Sequence, residues 1–293
     1  MRLLISLCAV FALSQTTVFA GSIQKTYFWE YEGKRYRFTY TFDKQDYDFY
    51  KGVKRDYYDF SFYMKEDPAY PVIDRLARKL QLLAQSYRLN ERETVEFIAS
   101  FVQHFNYRGD GKYEYPRFPV ETLVEQGGDC EDTAVLLAAL LRSLGYEAIL
   151  LSPEGHMGVG LAVQGEIKGI GVSHDGLTYY YIETTNTGWG IGDYPDHLSS
   201  EIKIYDPGSV PGAHPLALES SPHPAGPATV SKQHEIVAVT SDHTATQGNY
   251  WEDKELVGTQ TGALSSDVMI IDGRKETAIT YQDGNLVKVV SRQ

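Results

Sequence analysis

Apolar and polar positions along the chain change period three times. Between residues 24 and 63 aromatic side chains recur at strand spacing: Tyr27-Phe28-Trp29-Glu30-Tyr31, a Glu32-Gly33 turn signal, then Tyr36-Arg37-Phe38-Thr39-Tyr40-Thr41-Phe42. Alternation with a period of two predicts a hairpin with two unlike faces. Tyr47, Phe49 and Tyr50 follow, then Tyr57, Tyr58, Phe60, Phe62 and Tyr63. Rings at this spacing pack a core more often than they stack on sugars, and no polar ligands for sugar hydroxyls accompany them. After Pro68 and Pro71 the period becomes helical. Val72, Ile73, Leu76, Leu80, Leu83 and Tyr87 predict a helix over 71–87. Asn90 with Glu93 caps a second one, with its stripe at Val95, Ile98, Phe101, Val102 and Phe105. Gln103, His104 and Tyr107 lie near its end, before a polar loop from Arg108 to Pro119.

The second change centres on Gly127-Gly128-Asp129-Cys130-Glu131-Asp132, which runs into the apolar stretch Ala134 to Leu141 and stops at Gly145. The glycine pair allows a tight turn and close backbone approach. Asp129 stands where an N-cap belongs, and Asp132 three residues on completes a capping-box-like pattern. Cys130 is therefore expected in the first turn of a buried helix, where free N–H groups and the helix dipole favour thiolate over thiol. Beyond it, Glu147 to Leu151 reads as a short buried strand. His156 is expected to open the next strand, with Gly158, Gly160 and Ala162 on its own face, leaving room for a substrate backbone. Thr178 to Glu183 is a further strand, followed by a loop through Gly188-Trp189.

Composition divides the rest. Residues 1–20 read as a secretion signal: Arg2, an apolar run from Leu3 to Leu13, and Val18-Phe19-Ala20 as the cleavage site. That run is too short to span a bilayer. Residues 21–66 form the aromatic β segment and 67–206 the core domain. Residues 207–230 are a linker rich in Pro, Gly, His, Ala and Ser, and 231–293 a polar segment ending in a small β-meander with Asp272-Gly273 and Asp283-Gly284 turns. The expected location is exported, periplasmic or extracellular, with no membrane span. Of the two cysteines, Cys8 lies within the signal, so Cys130 would stand alone and no internal disulfide is expected. A net charge of −12 argues against nucleic acid as a partner.

Thiol chemistry needs a nucleophile, a base and a group to orient the base. Cys130, His156 and Glu183 supply these in order, since the strand ending at Glu183 should pair antiparallel near His156. The Cys130 N–H, with Tyr107 or Gln103 as a second donor, would hold an oxyanion. His104, His174 and His197 are competing bases. Asp129, Glu131 and Asp132 are explained by capping and dipole in preference to calcium. No zinc-ligand spacing, phosphate loop or G-x-S-x-G elbow occurs, so neither metal nor cofactor is expected.

These residues resemble the transglutaminase-like cysteine peptidase superfamily. Gly128-Asp129-Cys130-Glu131-Asp132 with Ala134 to Tyr146 is similar to its cysteine helix. Tyr107, Pro119, Glu121-Thr122-Leu123, His156, Tyr181 to Thr185 and Gly188-Trp189 follow the same pattern, over roughly residues 70–195. The resemblance implies an α+β, papain-like core in which a helix carrying Cys130 packs on an antiparallel sheet. It implies Cys130 as nucleophile, His156 as general base and Glu183 as third member, where the family usually has Asp within Asp-Pro-Thr. Met157 stands where the family often has an aromatic residue. The expected activity is an exported peptidase or amidase acting on a peptide or protein amide, cell-wall peptide included. The alternatives are a non-catalytic binding or scaffold module and an amine-transferring cross-linker.

Overall fold

The computed structural model describes residues 21–218 and the strand backbones of 265–272, 275–282 and 285–292. The expected signal, Cys8 and residues 219–264 lie outside the described residues. Strands β1 (Ser22–Tyr31) and β2 (Lys34–Asp43) form the aromatic hairpin, paired from Ser22–Asp43 to Tyr31–Lys34. Both residues of its turn, Glu32 and Gly33, have positive φ, as a two-residue turn matching strand twist requires. Tyr27, Trp29, Tyr36, Phe38, Tyr40 and Phe42 are buried, whereas Phe28 on the other face is exposed.

Tyr47 and Tyr50 do not extend this sheet. Asp43 accepts from the Gln45 N–H at 2.8 Å and starts helix α1 (Lys44–Gly52). A short 3₁₀ turn, Phe60–Met64, precedes α2 (Val72–Ser86). Helix α3 (Glu91–Gln103) begins with the reciprocal Asn90–Glu93 capping box, at 2.9 and 2.8 Å. Two-residue strands β3 (Asn106–Tyr107) and β4 (Gly127–Gly128) flank α4 (Pro119–Glu125), which starts on a proline at its first turn. Helix α5 (Cys130–Ser143) follows.

The second half of the fold is a sheet of β5 (Ala148–Pro153), β6 (Gly158–Gln164), β7 (Gly171–His174), β8 (Leu177–Ile182) and β9 (Ile202–Tyr205), in the order β7-β8-β6-β5-β9. All these neighbours are antiparallel. The two-residue strand β10 (Leu216–Ala217) adds parallel to β6. The fold is thus α+β, with helices against antiparallel sheet.

Helix α5 sits between α2, α3 and α4 on one side and β5 and β6 on the other. That position explains a stretch apolar all round, since every residue from Ala134 to Leu141 is buried. Met157, Val159, Leu161 and Val163 face this core. The opposite face of the sheet carries a smaller cluster of Ile149, Leu151, Ala162, Tyr179 and Tyr181.

The aromatic segment shares the main core. Trp29 meets Phe97 and Phe101 of α3 edge to face at 5.5 and 5.3 Å, and the Tyr27 hydroxyl donates to the Leu123 carbonyl at 3.0 Å. The expected linker is packed over its first part: Leu216 is fully buried, and the His214 N–H donates to the Gly145 carbonyl at 2.9 Å. The meander strands β11 (Ser265–Asp272), β12 (Lys275–Gln282) and β13 (Asn285–Arg292) continue the hairpin sheet in the order β1-β2-β11-β12-β13. No described helix is long and apolar enough to cross a membrane.

Candidate active site

The Cys130 helix start is built from close backbone approach. A Cβ on Gly127 would lie 2.4 Å from the Asn106 carbonyl oxygen, and one on Gly128 would lie 2.4 Å from Asp132 Oδ2. Glycine at both positions lets β4 pair with β3 and lets Asp132 fold back over its own helix start. There Asp132 Oδ2 accepts from the Asp129 N–H at 3.3 Å. Arg117 locks that carboxylate, its backbone N–H donating to Oδ1 at 2.7 Å and its Nη1 to Oδ2 at 2.5 Å.

Cys130 is thus the first residue of α5, half-buried and unpaired. Its Sγ donates to Glu131 Oε2 at 3.2 Å, and the Met157 N–H lies against the sulfur. The expected resting thiolate is not what these surroundings favour. Burial pushes the thiol up, and the Glu131 and Asp129 carboxylates push it further, against a smaller downward pull from the Met157 N–H. Burial is the larger cause, and the flanking acidic residues add to it.

His156 lies in the turn joining β5 to β6, two residues before the strand it was expected to open. Its N–H donates to the Pro153 carbonyl at 3.1 Å, and its own carbonyl accepts from Ser152 Oγ at 3.0 Å. The β6–β8 register, Val159 opposite Ile182, carries Glu183 toward this turn. His156 Nε2 is 2.9 Å from Glu183 Oε2 and 3.2 Å from Oε1.

Glu183 is 1% exposed. Its Oε1 accepts from Thr184 N at 2.9 Å, Thr185 N at 2.8 Å and Thr185 Oγ1 at 2.7 Å, and its Oε2 accepts from the Tyr181 hydroxyl at 3.3 Å. Burial acts to raise the carboxyl, but the bonds from His156 and Thr185 outweigh it and hold it down to about 2. An ionised Glu183 has no proton to give, so Nε2 of His156 carries the hydrogen of this bond. Thr133 and Thr184 join hydroxyls at 2.9 Å, tying the cysteine helix to the end of β8.

The other expected residues divide. Tyr107 is exposed and paired through β3 with Gly128, and burial, followed by the charge of Cys130, raises its hydroxyl. Gln103 is committed elsewhere: its Nε2 donates to the carbonyls of Glu183 and Trp189, each at 2.9 Å. Both amide hydrogens are used, which removes it as an oxyanion donor and makes it a tie between α3 and the Glu183 loop. The glycine face of β6 is not open to substrate either. A Cβ on Gly158 would lie 2.4 Å from the Tyr181 ring, and one on Gly160 would lie 2.9 Å from Leu151. That space is filled from within. Among the competing histidines, His104 takes the Glu30 N–H on Nε2 and faces the Ser100 carbonyl with Nδ1. His174 pairs with Asp206 at 3.0 Å, and His197 is exposed.

Sequence reasoning passed over Asp110 and Arg117. Asp110, Asp129 and Glu131 bring carboxylate oxygens within 4.8 Å of one another beside Cys130. Asp129 and Glu131 are 7% exposed, yet Asp129 Oδ1 and Glu131 Oε1 are buried without a hydrogen-bond partner. Burial raises the Glu131 carboxyl, and close contact with Glu114 and Asp129 adds to this. Facing carboxylates of this kind need a shared proton or a cation. An all-oxygen, anionic donor set fits a hard ion such as calcium. Capping, the explanation expected for these acidic residues, accounts for Asp132 but not for the two unpaired oxygens.

Comparison with known proteins gives one family match. Residues 79–152 match the model of the transglutaminase-like superfamily, a stretch that includes Cys130 and stops short of His156 and Glu183. Among solved structures, calcium-bound LapG of Legionella pneumophila is similar at 20% identity, over 42% of this chain and 80% of that one, with a TM-score of 0.28. A proposed cysteine protease from Cytophaga hutchinsonii is similar at 15% identity, over 64% and 73%, with a TM-score of 0.27. No curated protein matches by sequence.

Proposed function

We propose that this chain, which carries a transglutaminase-like core, is a thiol hydrolase cleaving an amide through Cys130, His156 and Glu183. The observation that supports the reading is the buried, ionised Glu183 bonded to His156 Nε2. It fixes the tautomer and leaves Nδ1 as a base in the turn whose next residue touches the sulfur. The resting thiol then gives its proton to His156 as Sγ attacks the carbonyl carbon. The imidazolium returns that proton to the leaving amine, and water clears the thioester by the same route in reverse. The electrostatic role of Glu183 is to stabilise the imidazolium while it exists. The Cys130 N–H at the helix start is the donor for the oxyanion, with Tyr107 as the second.

The substrate class is a peptide or protein amide, and export through residues 1–20 belongs to the same proposal. A hard cation held by Asp110, Asp129 and Glu131 would balance their charge and satisfy the two unpaired oxygens.

The test is covalent trapping with a peptide-like electrophile, followed by mass mapping. Label on Cys130 that is lost in His156→Ala supports the reading. Equal labelling in the two proteins would leave a binding module instead.

A further inference from the structure

We propose, on the premise of that reading, that Tyr181 is a positioning residue: with Thr185 it fixes the Glu183 carboxylate against His156, and Gly158 lacks a side chain so that the Tyr181 ring can lie beneath the site. A glutamate has one more rotatable bond than an aspartate, so a carboxylate at its end needs more fixing to present one oxygen to an imidazole. The donors divide this task between the two oxygens. Oε1 is taken by Thr184 N, Thr185 N and Thr185 Oγ1. Oε2, the atom nearest His156, has one other donor among the described residues, the Tyr181 hydroxyl at 3.3 Å.

The ring that carries this hydroxyl is fully buried, held edge-on by Tyr194 at 4.8 Å. It occupies the volume that a side chain at Gly158 would fill, with Cζ and Oη both 2.4 Å from the position of a Cβ. Gly158 lies opposite Glu183 in the β6–β8 register, one pair beyond Val159 and Ile182. The three residues therefore form one unit: an empty position, the ring that uses it, and the longer acid it steadies. The groups that face this hydroxyl are Glu183, Tyr194 and Cys130. Burial first, and then these neighbours, raise the phenol, so it stays a donor throughout the working range of the protein.

The experiment uses the full chain with Tyr181→Phe, Thr185→Val, the pair together, Gly158→Ala, and His156→Ala as a control. Cys130 is alkylated with iodoacetamide at one fixed pH, and the Glu183 carboxyl is titrated by carbon-13 NMR. Tyr181→Phe keeps the ring, so its melting midpoint should stay close to the parent while alkylation slows by about threefold to tenfold, the range for the net loss of one ordinary intramolecular hydrogen bond. Gly158→Ala should displace the ring and slow the reaction at least as much.

A merely structural tyrosine would not move the Glu183 titration. Loss of its hydroxyl should place the midpoint in the paired variant above that in Thr185→Val alone. Alkylation of Tyr181→Phe at the parental rate, or equal midpoints in those two variants, overturns the proposal. Should His156→Ala alkylate like the parent, the nucleophile reading fails instead, and the carboxyl titration still decides on Tyr181.

Discussion

Replacing Arg117 with Met should be among the most damaging single changes near the site that leave its reacting groups intact. The side chain is 14% exposed and touches three carboxylates: Nη1 bonds Asp110 at 2.8 Å and Asp132 at 2.5 Å, and Nε bonds Glu125 at 3.1 Å. Methionine keeps much of the stem and removes the charge. Two of the three carboxylates keep other partners. Glu125 retains Lys51 and Tyr47, and Asp110 retains the Tyr115 N–H. Asp132 is the one stranded, 1% exposed and left with only the backbone N–H groups of residues 117 and 129. Removing one partner of a buried ion pair costs about 3–5 kcal/mol. For a domain of this size that lowers the melting midpoint by roughly 6–20 °C.

The pH dependence of that loss identifies its cause. Burial already raises the Asp132 carboxyl, the Asp129 charge adds to this, and Arg117 pulls it back down. Without Arg117 it rises further. A carboxyl raised in the folded state costs nothing below its unfolded pKa of about 3.9, and stability is lost as pH climbs through the folded value. The gap between variant and parent should therefore be wide at pH 8 and narrower at pH 5, read by circular dichroism melts in chelator. Adding Asp132→Asn to the variant should recover part of the loss at pH 8. A midpoint within about 2 °C of the parent at pH 8 would refute the assignment of Arg117 as the clamp on the helix start.

Trp29→Ala should cost about 3–5 kcal/mol and shift one unfolding transition as a whole, because the indole packs on α3; two separate transitions would mean that the hairpin folds apart. Glu183→Gln should be less stable than the parent at pH 6 and converge on it in acid: the carboxyl is held down to about 2, so its contribution is present above an unfolded value near 4.3 and disappears as pH falls toward 2. Equal melts at pH 6 would remove the ion pair from the account. Calcium at about a hundred times its dissociation constant should add about 2.7 kcal/mol to unfolding, seen as a raised melting midpoint. That rise should vanish in Asp129→Asn/Glu131→Gln; a rise that survived in the double variant would relocate the ion.

How far the sequence disclosed this fold depends on how many contacts each element needs. The α3 cap was legible because Asn90 and Glu93 bond each other across three residues. The α5 core was legible because a helix buried all round must be apolar all round. The hairpin was legible from period alone. Helix α1 was not: Tyr47, Phe49 and Tyr50 continue an aromatic run that reads as strand, and only the Asp43 cap marks the change. Helix α4 was missed although Pro119 at its first turn was a usable signal. The packing of Leu216 beside β6 joins residues far apart in the chain, and nothing in a stretch of Pro, Gly and Ala announces it.

The site shows the same division on a finer scale. Residue types and chain order were enough to bring His156 and Glu183 together, because in an antiparallel pair the start of one strand lies beside the end of the other. What chain order does not carry is the use to which space is put. A glycine face beside a candidate general base suggests an open cleft, yet the Tyr181 ring fills the space beside Gly158. A helix start suggests a thiolate, yet burial under neighbouring elements, with Glu131 and Asp129 adding to it, raises the thiol. Both errors have one cause. Local sequence fixes which groups are present, but the sign of their effect depends on what packs around them in the fold. Gln103 is the clearest case, since a side-chain amide is an oxyanion donor only while its hydrogens are free. Here the Glu183 and Trp189 carbonyls, about eighty residues along the chain, have taken both.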